Sequence, residues 1–414
     1  MAFWQHSPAD VDDRLVELAH LFVDCRAAFF ETADRFHWSP ELGSVAARAA
    51  AELPSPDPAI ADPRGETGHR LIAEVAQTYL LTASGHLGGL ASLYASGEVF
   101  FPPAALIRAT IENCAHAMWV LGDDPTEPSE NRLARAYLEE LLSAEQAKMN
   151  AGRLGAKSGP IHMQANDDYK TLKRQILARF PSADTATLGK WTLQDQTLLG
   201  PEATVAWMYA LAQKAGGSSV GDRAALGIYG FLSNMTHPTL YPARQLRAWT
   251  DDPAAGHPVA YLKLDLDFLE RQASAAVMAF YNALSYVTSY FGWPRSVHDD
   301  LTEKIDRAMR RSSRDAVPRL VRPAACHDAP VGLFKRSETV RAKKIGAHAR
   351  YVDEDVQRVD LKITSTDGEA TTVDLSLDQT RQLVIDLTNA YGACRPSLLD
   401  QKQIDRITSF FGMR

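Results

Sequence analysis
A chain of 414 residues with 45% apolar and 23% charged side chains can bury a large core, so general disorder is excluded. The formal charge of −7 at pH 7 argues against a generally basic nucleic-acid binder. Cys25, Cys114, Cys326 and Cys394 are scattered without CxxC or other metal spacing, so neither a disulfide framework nor structural zinc is expected, and a reducing cytoplasm fits.

The opening MAFWQHSPADVDDR lacks a basic stretch followed by an apolar run, so no signal peptide is expected. After Ser7-Pro8, the residues Val11, Leu15, Leu18, Phe22, Cys25 and Phe29 recur at three- and four-residue steps, which predicts one apolar helical face. Pro54, Pro56, Pro58 and Pro63 predict an irregular loop. A second helix is predicted over 66–95. Its Gly85-His86-Leu87-Gly88-Gly89 lacks the Gly-Lys-Ser/Thr of a phosphate loop, and small residues that let helices approach closely are the better reading. Pro102-Pro103 suits the first turn of a helix running to Leu121.

Further helices are predicted at 129–152, 166–180, 201–215, 222–237, 261–292 and 297–313. No charged side chain lies between Arg271 and Arg295, a length that could cross a bilayer, but Gln272, Asn282 and several hydroxyls favour a buried core helix. Between Lys304 and Arg358, 14 Lys/Arg stand against 7 Asp/Glu. This basic stretch could meet phosphates or be a solvated connector, and the absence of interleaved aromatics favours the connector. Beyond a Pro-containing basic linker at 316–344, Val359, Leu361 and Ile363 alternate with polar residues. A turn at 366–369 and a second alternation at Val373, Leu375 and Leu377 predict a hairpin. Asp378 can cap a helix ended by Gly392, and a short amphipathic helix is predicted at 399–411. The expected fold is mainly α: a multi-helix bundle over 1–315 with a small ββα module at 345–414.

Two residue groups could carry chemistry. Arg108, Glu112 and His116 fall at i, i+4 and i+8 on an otherwise apolar helix, with Asn113 beside them. A buried Arg and Glu must pair with each other or with a ligand. In the segment from Tyr229 to His237, the residues Gly230, Ser233 and His237 share a face apart from the apolar one. Pro238 disfavours helical geometry just before it, which puts His237 at the helix C-terminus, where the dipole favours an imidazolium. An internal ion pair and an ordinary C-terminal cap are the bland readings of the two groups. Arg132, Arg135 and Glu139 read as a solvated helix face, and His86 and His162 as lone histidines. No metal site and no cofactor are expected.

The helix Leu106-Ile107-Arg108-Ala109-Thr110-Ile111-Glu112-Asn113-Cys114-Ala115-His116 and the segment Tyr229-Gly230-Phe231-Leu232-Ser233-Asn234-Met235-Thr236-His237 together resemble HEPN-like helical proteins, over roughly 70–290. The similarity is to a bacterial branch of uncharacterised or phage-defence-associated members. Active members are metal-independent ribonucleases in which an Arg and a His on one helix act at the scissile phosphate. The resemblance implies a cytoplasmic protein of defence or stress response with a polar cleft, binding RNA or a protein partner, able to form a homodimer, and without a membrane association. Its site would use His237, Arg108 and Glu112 for chemistry and His116, Asn113, Ser233, Asn234 and Tyr229 for binding. The positions upstream of His237 that would carry the arginine are Gly230, Phe231 and Leu232, so a nuclease would have to borrow Arg108 from the other helix. The alternatives are a binding or regulatory element, such a ribonuclease, and a structural interaction scaffold.

Overall fold
The computed structural model describes residues 8–310 except 62, 64, 216–219, 238–239, 253–255 and 264–265, together with 342–353, 356–365 and 370–376. Its larger unit is built from helices. In chain order these are α1 (Pro8–Phe36), α2 (Val45–Glu52), α3 (Gly68–Ser96), α4 (Pro102–Leu121), α5 (Ser129–Leu154), α6 (Pro160–Arg179) and α7 (Thr185–Gly189). A short hairpin of β1 (Thr192–Leu193) and β2 (Gln196–Thr197) follows, then α8 (Pro201–Lys214), α9 (Asp222–Thr236) and α10 (Leu240–Gln245). The hairpin β3 (Arg247–Asp252) and β4 (His257–Leu262) precedes α11 (Leu266–Phe291) and α12 (Ser296–Arg310).

The core lies where α3 meets α1 and α4 and where α11 packs on α4. Phe22 and Phe29 of α1, Leu80, Leu87 and Tyr94 of α3, Ile107 and Ile111 of α4, and Phe280 and Leu284 of α11 are all buried there. Close approach explains two of the glycines of α3: a Cβ on Gly89 would stand 2.9 Å from Leu106 Cδ1 of α4, and one on Gly88 would stand 2.9 Å from the Arg26 guanidinium of α1. Gly85 meets no neighbour within 4 Å, and the helix runs unbroken through all three. The charge-free stretch after Arg271 lies in α11, whose side chains are largely buried in this core. No helix among the described residues is long and apolar enough to cross a membrane.

Several helix ends follow from local chemistry. Gly97 adopts φ 75° after α3 and Gly122 adopts φ 77° after α4, each placing its N–H on the last carbonyls. Pro160 opens α6 six residues earlier than the expected start at 166. The expected helix at 261–292 begins only at Leu266, because His257–Leu262 pairs instead with Arg247–Asp252, Trp249 facing Ala260 in the register. Gly256, at φ 66°, makes that turn.

Arg132, Arg135 and Glu139 are not a solvated face; all three are buried. Arg132 donates from Nε to the Leu121 carbonyl at 2.8 Å, and from Nη2 and Nη1 to those of Asp124 and Glu127 at 2.6 and 3.2 Å. Arg135 donates to the Val120 carbonyl at 3.3 Å and to Gln196 at 2.7 Å, and pairs with Glu127. The carbonyls that every helix leaves unpaired at its C-terminus are thus met by side chains of the next helix.

His298 of α12 is buried, its Nε2 2.6 Å from Thr288 Oγ1 on α11. Burial pushes its pKa down from 6.5 to about 4, with Asp299 acting weakly in the opposite direction. The unfolded chain takes up this proton near its ordinary pKa and the folded chain does not. Stability from this group is therefore complete above that value and declines as pH falls toward 4, by on the order of 3 kcal/mol. Glu74 and Glu140, raised chiefly by their own burial, contribute with the opposite sign. They are common to the wild type and a His298→Gln variant, so urea midpoints for both at pH 7 and pH 4.5 isolate the histidine. The wild type is expected to lose the larger share.

The second compact unit takes in Lys214–Gly217 and Val321–Arg414, and its C-terminal part is described through its strands alone. β5 (Ala342–Asp353), β6 (Val356–Ser365) and β7 (Ala370–Ser376) form an antiparallel sheet in the order β5-β6-β7. The expected hairpin is β6–β7, with Leu361 opposite Val373 and Val359 opposite Leu375. β5 adds a third strand, beginning inside the segment expected to be linker. The helices expected after Asp378 and at 399–411, and the linker before Ala342, lie outside the described residues.

Candidate functional site
The site is a half-exposed polar strip along α4, a helix whose other sides are buried from Ala104 to Leu121. Arg108 Nε donates to Glu112 Oε1 at 2.8 Å, one helical turn away. The two side chains are 22% and 25% exposed, so the pair is neither fully solvated nor sealed. α9 packs over this part of α4 through Ala225, Tyr229 and Leu232. Tyr229 lies under the guanidinium, 5.1 Å from ring centroid to Cζ. Its hydroxyl accepts from Arg108 Nη2 at 3.0 Å and donates to Glu112 Oε1 at 2.8 Å.

The expected placement of His237 holds geometrically. It caps α9 with an extended backbone (φ −95°, ψ 155°), and its N–H reaches the Ser233 carbonyl at 3.1 Å. Arg108 Nη1 donates to Thr236 Oγ1 at 3.1 Å and lies 3.5 Å from His237 Nε2. Two groups 129 positions apart therefore share one rim. Thr236, rather than Ser233, supplies the hydroxyl; Ser233 contributes its backbone carbonyl, and Asn234 is exposed on α9. Asn113 turns back on its own helix, donating to the Ala109 carbonyl at 2.8 Å.

Partial burial opposes the Arg108 charge, but the bonds to Glu112 and Tyr229 outweigh it and hold the guanidinium above its ordinary range. Burial, then donation to Glu112, raises the Tyr229 phenol. Arg108 is a permanently charged, tightly oriented group, with only its Nη1 edge turned to the rim.

His116, the third member of the strip, does not join Arg108. Its Nδ1 lies 2.6 Å from Glu139 Oε1 of α5, and its ring stacks on Tyr79 of α3 with centroids 5.3 Å apart. Tyr79 donates to the other Glu139 oxygen at 2.5 Å. The Glu139 side chain is 2% exposed. Burial first, and then the Glu139 charge, raise the Tyr79 phenol well above its ordinary range, so it stays a donor. The strip thus divides into an Arg108–Glu112–Tyr229–Thr236–His237 group and a His116–Glu139–Tyr79 group. Among the described residues no cluster of three or more His, Cys, Asp and Glu could hold a metal ion.

Sequence reasoning missed Tyr79 and Thr236 and placed Glu139 on a solvated face. A signal for Glu139 existed: Leu133, Ala134, Ala136, Tyr137, Leu138 and Leu141 leave no wholly polar face on that stretch of α5. Family models, curated proteins and solved structures offer no match to this chain. The fold and the strip define a mainly α-helical protein with a half-exposed polar rim between two helices.

Proposed function
We propose that the protein is a HEPN-like helical binding protein of defence or stress response, whose α4–α9 rim takes a phosphate group of RNA. The observation that carries this reading is the 3.5 Å approach of Arg108 Nη1 to His237 Nε2. A phosphate oxygen entering there would replace a long nitrogen–nitrogen contact with charge-assisted hydrogen bonds, while Glu112 and Tyr229 keep the guanidinium in place. Glu112 neutralises part of the field, and most Arg108 donors are already engaged, which supports binding over turnover. The second reading, a metal-independent endoribonuclease, draws on the same contact. There His237 would take the 2′-OH proton as that oxygen attacks phosphorus, the P–O5′ bond would break with the proton returned to the departing 5′-oxygen, and Arg108 would steady the phosphorane charge beside Glu112.

Fluorescence anisotropy with a labelled single-stranded RNA tests the proposal. His237→Ala should weaken binding about tenfold, the loss of roughly one charge-assisted hydrogen bond. Thermal stability should be unchanged, because His237 is exposed. Equal binding by the variant, or no binding by the wild type, would sink the reading. Strand cleavage by the wild type that His237→Ala abolishes would replace it with the nuclease.

A further inference from the structure
α5 and α6 form an antiparallel helical arm that leaves the body of the helical unit. Its base is anchored by Ile176, by the edge-on packing of Phe180 on Tyr137, and by Arg179, which pairs with Asp57 at 2.7 Å. Between Leu142 and Gln175 no residue is buried. The arm is held by small and polar contacts: Lys148 Nζ lies 3.7 Å above the Tyr169 ring, and His162 packs where Gly152 has no side chain.

Positive charge is concentrated on this arm, as it also is between Lys304 and Arg358. Between Gln146 and Gln175, six Lys/Arg stand against two Asp, so the stretch carries +4 in a chain whose total is −7. Lys170, Lys173 and Arg174 line an open groove of about 540 Å³ between α6 and the start of α7, with the hydroxyls of Thr171 and Thr185 beside them and Asp167 as its acid. The partners seen for two of these cations are uncharged: Lys173 Nζ lies 5.3 Å from the Tyr169 ring centroid, and Arg174 donates to Thr171 Oγ1 at 3.0 Å. Lys148, Arg153 and Lys157 continue the positive charge toward the tip, roughly 20 Å away at 1.5 Å per residue. Screening with a Debye length of about 8 Å separates such a surface from acidic side chains elsewhere in the chain.

We infer that the basic face of the α5–α6 arm, centred on Lys170, Lys173 and Arg174, binds the phosphodiester backbone of a nucleic-acid duplex. This goes beyond the Arg108–His237 rim but rests on the same reading of the protein as a nucleic-acid binder. The cations extend along the arm to its base, which matches a rod of phosphates; an anionic membrane would meet the tip alone. The tip does carry Leu154, Ile161 and Met163, exposed by 91%, 76% and 55%, so a membrane is the outcome to be distinguished.

The full-length protein and a Lys170→Gln, Lys173→Gln, Arg174→Gln variant would be titrated with duplex RNA, duplex DNA and phosphatidylglycerol vesicles at several salt concentrations. The substituted residues are unburied and glutamine keeps helix propensity, so circular dichroism should match. The wild type should bind at least one duplex, and the variant should flatten the slope of log K against log salt by about 2 to 3. The more affected duplex identifies the source of the phosphates. An unchanged slope, no duplex binding by the wild type, or binding to vesicles alone overturns the inference. The rim proposal fails separately, by His237→Ala leaving single-stranded RNA binding intact while the groove variant loses the duplex.

Discussion

Arg132→Ala should cost the helical unit about 4 kcal/mol, a large part of the stability of an ordinary domain. The side chain is 1% exposed, and its guanidinium serves carbonyls of Leu121, Asp124 and Glu127. Alanine removes these bonds and opens a cavity beside Tyr290, whose ring lies 5.9 Å from the guanidinium carbon. Lysine should recover only part of the loss, because one ammonium cannot span three carbonyls in the manner of a planar fork. Methionine fills volume but leaves the carbonyls unmet. Urea unfolding of the three variants gives the order directly, wild type above lysine above methionine and alanine. An alanine loss below about 1 kcal/mol would show that water replaces the guanidinium at little cost.

Glu139→Ala should have the next largest effect, about 3 kcal/mol, because it leaves partners behind as well as removing a group. Tyr79 would keep a hydroxyl with no acceptor, and His116 would lose the carboxylate that fixes its ring. Glu139→Gln keeps the shape and should lose less. The two variants differ in a second observable: the His116 ring is fixed by the 2.6 Å contact of Nδ1 with Glu139, and its ring nitrogen chemical shifts should move further in the alanine variant than in the glutamine one. If the alanine variant unfolds at the wild-type urea midpoint, the carboxylate is not holding α3, α4 and α5 together.

The helices were legible where sequence carries both an apolar period and an end signal. Val11 to Phe29 gives α1, and Pro102-Pro103 with the apolar run to Leu121 gives α4. The hairpin β3–β4 was not legible, because Val259 to Leu262 runs directly into the apolar pattern of α11, and only pairing with a distant strand tells the two apart. Of the site, the Arg108–Glu112 pair was readable from spacing on one helix, and the end position of His237 from the proline after it. The destination of His116 was not, since Glu139 lies on another helix and its neighbours Arg132 and Arg135 imitate a surface ladder. Charges at i, i+3 and i+7 look alike in sequence whether they face water or the exposed carbonyls of a neighbouring helix end.

The rim between α4 and α9 is mechanically unequal. α4 is wedged among α3, α5, α9 and α11, and nearly every turn of it is buried. α9 rests on α4 through Ala225, Tyr229 and Leu232, with Ile228 and Met235 partly covered. Shifting α4 would disturb the whole core, whereas shifting α9 would disturb its seat on α4 and the edge-on packing of Phe231 on Phe268. Arg108 thus rides on the more deeply embedded of the two helices and His237 at the exposed end of the other. On the proposed reading, a change in the size of the bound group would be taken up at the α9 side before the interior had to repack.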